Sequence, residues 1–335
     1  MEATVTPAAG AARPPVRAGM VTVGTWRDDA ASMGSVLSAL DDLRCRDHRG
    51  AVRTSFLTLL VVGDAATDVD DLFDTVHGLG ENQPSRVVAL RLLPGDERRL
   101  AARVGVHLLP RGDQCLGIDD VALELSGEVT SHLDSVVEPL TLPDLPVVVW
   151  CCKEHPDAED ALLQTADHVV VDSAASGGRA GLGQLYRLRR RVVVTDFAWL
   201  RLLRLRRHLA AVVRRPELRP LLDRVSVATV GGTELDRALL AGWLADRLPA
   251  ARVDHGARTG RPSIALAAGE ASITVEQAAD SVTASVVEGD QPAWESTMGA
   301  PPATTEGLLA SALLQLRPDP VFDGALATAA GRGDT

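Results

Sequence analysis

Through the first half of this 335-residue chain, short apolar runs alternate with amphipathic segments, and that alternation limits the fold more tightly than any motif does. Val52 to Val62, Arg86 to Leu92, Asp120 to Leu125, Pro146 to Trp150 and His168 to Val171 have the length and β-branched content of strands. Between them, Ala30 to Arg44, Val69 to Leu79, Asp96 to Val104, Ser131 to Leu140 and Ala158 to Thr165 read as helices. Strand and helix in alternation predict an α/β domain, a mainly parallel or mixed sheet with helices on both faces.

The Gly-rich stretch Ala174 to Gly183 reads as a hinge, after which the pattern changes. Val225 to Val230 reads as a strand and Glu234 to Leu248 as an amphipathic helix capped by Thr233. Ser263 to Leu266, Ala271 to Val275 and Ser281 to Val287 alternate like antiparallel strands, with a turn at Gly269. Ala303 to Leu316 and Val321 to Ala329 read as closing helices, interrupted by Pro318 and Pro320. The expected organisation is a disordered Ala/Pro/Gly arm over 1–19, an N-terminal α/β domain over 20–176 and a C-terminal α+β domain over 184–330.

Residues 196 to 215, DFAWLRLLRLRRHLAAVVRR, concentrate charge. A single helix there sets Arg201, Arg204, Arg207, His208, Arg214 and Arg215 on one side and Trp199, Leu202, Leu203, Leu209, Ala210 and Val213 on the other. Arg206 falls inside the apolar stripe, where a guanidinium is costly unless a carboxylate, carbonyl or phosphate meets it. Asp196 is placed either to cap this helix or to pair with an arginine on a neighbouring element. The net charge is -11, which argues against nucleic-acid binding. Yet residues 179–224 hold 13 of the 34 basic residues, with Asp196, Glu217 and Asp223 as acids, so an acidic partner fits this region. The alternative is a sugar phosphate or nucleotide held by Arg201, Arg204 and Arg206.

Catalytic motifs are missing from the sequence. It contains no G-x-G-x-x-G after a strand, no Walker loop, no H-E-x-x-H, no C-x-x-C and no G-x-S-x-G. Lys153 is the sole lysine and lacks the glycines of a phosphate loop, and Gly177 to Gly183 match no phosphate-loop spacing. Cys45, Cys115, Cys151 and Cys152 are too scattered for a disulfide framework, which fits a reducing cytoplasm. The vicinal pair Cys151 and Cys152 reads as small buried hydrophobes, with a strained redox pair as the minor alternative. His155, near Cys152 and Asp157, reads as part of a solvated loop rather than as a metal ligand. No stretch approaches the length of a membrane span. No catalytic residue, cofactor or metal is therefore expected.

Several segments carry a family resemblance. Thr195-Asp196-Phe197-Ala198-Trp199-Leu200-Arg201, followed by Leu202 and Arg206, is similar to the "TDLAWTRLTPWR" signature of the OpcA family. Gln83-Pro84-Ser85-Arg86-Val87-Val88 resembles that family's "hPSR" strand entry, and Leu140 to Trp150 resembles its "LLLPDAPVVAWW" strand. Leu308, Leu309, Leu316, Asp319 and Leu326 match its C-terminal tail. The chain differs at Trp150-Cys151-Cys152-Lys153, at Leu203-Arg204-Leu205 and at Leu314-Gln315-Leu316, where the family shows "WWP", "TPW" and "LRR". The resemblance implies a cytoplasmic, non-enzymatic assembly protein of the actinobacterial type. Such a protein binds glucose-6-phosphate dehydrogenase, favours its active oligomer and thereby acts as an allosteric activator of the pentose phosphate pathway. The surface expected to carry that contact comprises Arg201, Arg204, Arg206 and Asp196, shaped by Trp199 and Trp150.

Overall fold

The structure, a computed structural model, describes residues 20–47, 55–79, 84–111, 113–289 and 291–331. The expected arm over 1–19 and the opening residues 52–54 of the first expected strand lie outside them. Eight strands form the first sheet: β1 (Val21–Asp28), β2 (Leu57–Gly63), β3 (Ser85–Leu92), β4 (Arg99–Arg111), β5 (Gln114–Ser126), β6 (Val147–Cys151), β7 (His168–Val171) and β8 (Val193–Asp196). Their order is β1-β4-β5-β3-β2-β6-β7-β8. The six strands from β5 to β8 in that order run parallel, and the β4–β5 hairpin adds β4 and then β1 antiparallel at one edge.

Helices cover both faces. On one side α1 (Met33–Cys45) and α3 (Leu133–Val137) pack Val36, Leu40 and Val137 on Leu60, Val88 and Leu123. On the other, α2 (Val69–His77) packs Leu72, Phe73 and Val76 on Leu59, Val61 and Val87. This period-2 division of β2 and β3, with both faces apolar, is why those strands read as continuous hydrophobic runs.

The chain then passes through α4 (Leu182–Leu188), β8, α5 (Phe197–Arg201), α6 (Leu203–Val213) and the short α7 (Arg219–Leu222) into the second sheet. That sheet contains β9 (Val227–Gly232), β10 (Arg252–Arg258), β11 (Ser263–Ala268), β12 (Ala271–Gln277), β13 (Ser281–Glu288) and β14 (Gln291–Gly299), ordered β10-β9-β11-β12-β13-β14. β9 and β10 are parallel, joined through α8 (Glu234–Arg247), and every other pair is antiparallel. Register places Ile264, Val275 and Ala284 in one buried row and Leu266, Ile273 and Val286 in the next. After β14 the chain returns to the first sheet. There α9 (Thr305–Leu313) sets Leu308, Leu309, Ala312 and Leu313 against Leu59, Val61, Val87 and Trp150. Finally α10 (Pro320–Gly331) lies along α8. A Cβ on Gly242 of α8 would sit 2.2 Å from the Ala325 carbonyl oxygen of α10, so glycine permits that backbone approach.

The α/β class with two sheets matches the expectation, but several elements differ. Asp96 to Val104, expected as a helix, begins β4. Ala102, Val104, Val106 and Leu108 alternate with Arg103, Gly105 and His107, a period of two that the acidic and basic residues before it obscure. Ala158 to Thr165 holds only the 3-10 turn Ala161–Gln164, and Ser131 to Leu140 is broken around Pro139 into 3-10 turns flanking α3. β1, β8, β10, β14, α4 and α7 carried no clear signal. The continuous rod expected over 196–215 is two helices that break at Leu202. At the break the Gln277 side chain, from β12, donates to the Arg201 carbonyl at 3.2 Å, and a side-chain donor at a carbonyl of this kind interrupts the helical ladder.

Candidate functional site

The family-like segments at the centre of the chain and near its end meet in space. β8 ends in Asp196, whose Oδ1 accepts from the amides of Ala198 at 3.0 Å and Ser173 at 2.9 Å, so one carboxylate caps α5 and pins the loop after β7. Asp196 is fully buried, and that burial pushes its carboxyl up to about 6. From the same loop Asp172 takes both Arg201 amines, at 2.7 and 2.6 Å, in a bidentate ion pair that holds the guanidinium charged. Arg204 donates to the Pro301 carbonyl. Two of the three arginines expected to face a partner are therefore engaged within the chain, so a free arginine ridge at Arg201 and Arg204 is corrected to a set of internal ties.

Arg206 is different. It is 7% exposed, and its guanidinium lies over the Trp199 ring at 3.4 Å and 6.0 Å from the Trp243 ring. One amine donates to the Trp199 carbonyl at 3.3 Å, while the buried Nε has no hydrogen-bond partner. No carboxylate lies within ion-pair distance of it among the described residues, and burial pushes its pKa down to about 9. Trp199, 2% exposed, donates from its indole to Asp319 Oδ2 at 3.0 Å, and Asp319 Oδ1 accepts from Val321 and Phe322 at the start of α10. Trp199 is thus packed in the core, and it also lines a groove above Arg206. Trp150 is also buried, at 6% exposure and 6.1 Å from the Phe197 ring.

Above Arg206 opens a groove of about 670 Å³ between the α5–α6 corner and the segment joining α9 to α10. Leu200, Leu203 and Leu316 line it, Leu314 stands 74% exposed at its lip, and Arg207 and Arg317 are exposed beside it. Along the chain beyond, Arg214, Arg215, Arg219 and Arg224 are exposed as well. None of these six arginines forms an ion pair among the described residues, although Arg215 lies 4.2 Å from the Trp294 ring.

Other candidates resolve into structure. Cys151 and Cys152 are free; burial raises both thiols, Cys152 to about 12 and Cys151 beyond it, which disfavours the thiolate that redox exchange needs. His155, expected in solvent, is buried with Nε2 3.3 Å from Ser173 Oγ. Gly177 to Gly183 fold into the 3-10 turn Gly178–Gly181 and the start of α4. Arg86, in the "PSR"-like segment, is buried and donates to the Leu140 carbonyl at 2.9 Å, tying β3 to the turn after α3. Beyond β2, where a doubly wound sheet presents phosphate-binding glycines, the chain instead carries Asp64 and the N-cap Asp68, then Asp70 and Asp71 in the first turn of α2, beside Arg91 and Arg103.

Fold and groove together describe a two-sheet α/β protein whose C-terminal tail closes over a conspicuous arginine. The chain belongs to the OpcA family. The family model for the glucose-6-phosphate dehydrogenase subunit N-terminal domain matches residues 77–190, and that for the C-terminal domain matches residues 192–326. No curated protein matches the sequence significantly. Among solved structures, UDP-N-acetylglucosamine 3-dehydrogenase GnnA from Acidithiobacillus ferrooxidans is 9% identical, with a TM-score of 0.35 over 82% of this chain and 95% of its own. An NAD binding oxidoreductase from Klebsiella pneumoniae is also 9% identical, at 0.37 over 85% and 98%.

Proposed function

We propose that this chain binds glucose-6-phosphate dehydrogenase and favours its active oligomer, without catalysing a reaction of its own. The observation that carries this reading is the row of exposed arginines on and beyond α6, without an ion pair among the described residues of a chain of net charge -11 and set beside the groove that the two family segments build. Arginine is enriched where proteins meet, and a local positive face on an acidic molecule selects an acidic partner surface. Favouring an oligomer needs only tighter binding to that state; about 1.4 kcal/mol of preference changes the ratio tenfold. The ties of Arg201 to Asp172 and of Arg204 to the Pro301 carbonyl weigh against the sugar-phosphate alternative, which calls on those guanidinium groups, and no described helix is long and apolar enough to cross a membrane.

The test is co-elution of the chain with the dehydrogenase of the same cell across a salt series. A complex that weakens steadily as salt rises is expected, because exposed opposite charges are screened. Absence of a complex at low salt would remove the reading.

A further inference from the structure

We infer that Arg206 is the receptor for a partner carboxylate, and that the groove above it takes a short segment of the dehydrogenase in which one acidic residue is flanked by leucine-like side chains. This rests on the functional reading just given and names the partner chemistry within it. Three features of the site support the assignment. First, a guanidinium has five donors in a planar fork, yet the described contacts of Arg206 are one carbonyl at 3.3 Å and the aromatic faces of Trp199 and Trp243. Its Nε is buried and unmatched. A side chain so buried is retained at a cost unless a charged group meets it.

Second, the one acid lining the groove is already committed. Asp319 gives Oδ2 to the Trp199 indole and Oδ1 to two amides of α10, and stands outside ion-pair distance of Arg206. The Asp319 charge still favours the guanidinium through space, but no described residue brings a carboxylate within ion-pair distance of it. Third, the walls are apolar: Leu203 and Leu316 inside, with Leu314 exposed at the lip, and Arg207 and Arg317 beside them. A hydrated phosphate gains little from leucine walls, whereas an acidic residue between apolar neighbours satisfies both the walls and the fork. The aromatic stack holds the guanidinium plane in place, so less conformational freedom is lost when the carboxylate arrives.

The test measures affinity for the dehydrogenase and melting temperature for wild type, Arg206→Met and Leu314→Asp. Arg206→Met replaces the charge by an apolar chain of similar length. It is expected to melt at or above wild type and to bind the dehydrogenase at least about tenfold more weakly. Leu314→Asp, fully tolerable at an exposed position, is expected to leave the melting temperature unchanged and to weaken binding by a comparable factor through repulsion of the incoming carboxylate. A parallel arm adds glucose 6-phosphate or inorganic phosphate to each protein. Stabilisation of wild type by either, lost in Arg206→Met, would assign the site to a phosphate and overturn the proposal. Wild-type binding that both variants retain overturns the carboxylate receptor while leaving the functional reading intact. Failure of wild type to bind the dehydrogenase overturns the reading and this proposal with it.

Discussion

Asp196 and His168 respond to acid in opposite senses, although both are buried on the adjacent parallel strands β8 and β7, His168 opening β7 and Asp196 closing β8. Burial raises the Asp196 carboxyl from 3.8 to about 6, so its contribution to stability is fully present below its unfolded pKa and is lost as pH rises through about 6. Burial lowers His168 from 6.5 to about 4, and this contribution is present above the unfolded value and is lost as pH falls through about 4. Each displacement is worth about 3 kcal/mol between the two protonation states. Between about pH 4 and about pH 6 the two offset one another, with His155 acting in the sense of His168. Asp196→Asn should therefore make stability rise more steeply with pH over that window, and His168→Gln should make it rise less or fall. Urea midpoints measured across the window check both, and parallel curves for the three proteins would contradict the assignment. Arg206 was legible in the sequence as an anomaly, because a charge inside an apolar stripe is visible from periodicity alone. The partners of Arg201 were not. Asp172 lies 29 residues away, and only the pairing of β7 with β8 brings it to the helix.

At the level of elements, the tie between Arg201 and Asp172 joins α5 to the loop after β7. Alanine at either position should cost stability, and a double-mutant cycle should return a coupling of about 1 to 2 kcal/mol. Additive losses would mean the pair is not formed. Gly242 offers a second check. Helix propensity alone says that alanine at a mid-helix glycine stabilises by about 1 kcal/mol. The 2.2 Å approach to the Ala325 carbonyl reverses that expectation. Gly242→Ala should destabilise by about 1 to 3 kcal/mol, because α8 and α10 must separate, and a stabilised variant in thermal melts would refute the close contact. Both helices were visible in sequence, but not their contact, which is a matter of backbone approach rather than of pattern. β4 is obscured in sequence for a related reason: its alternation is sound, but Asp96, Glu97 and Arg98 just before it, with Arg99 at its start, suggest a solvated helix. The corner at Leu202 depends on Gln277, a β12 residue 76 positions from the carbonyl it meets.

For the whole molecule, α9 decides the architecture. The linear order suggested two successive domains, and the second sheet does follow the first; yet α9 lies against β2, β3 and β6 of the first sheet, and the segment after it encloses the Trp199 indole. The groove is therefore made by distant parts of the chain, which explains why each half of its lining looked like an isolated helix in sequence. Arginine exposure follows the same logic: Arg201 and Arg204 face the body of the molecule, leaving Arg207, Arg214 and Arg215 outward. The central claim is that this assembled surface binds the dehydrogenase and biases its oligomeric state. Mass photometry of the dehydrogenase, diluted until its active oligomer dissociates and then mixed with this chain, tests that claim most directly. The account predicts a new species containing both proteins and recovery of the active oligomer with its activity; an unchanged mass distribution and unchanged activity would contradict it.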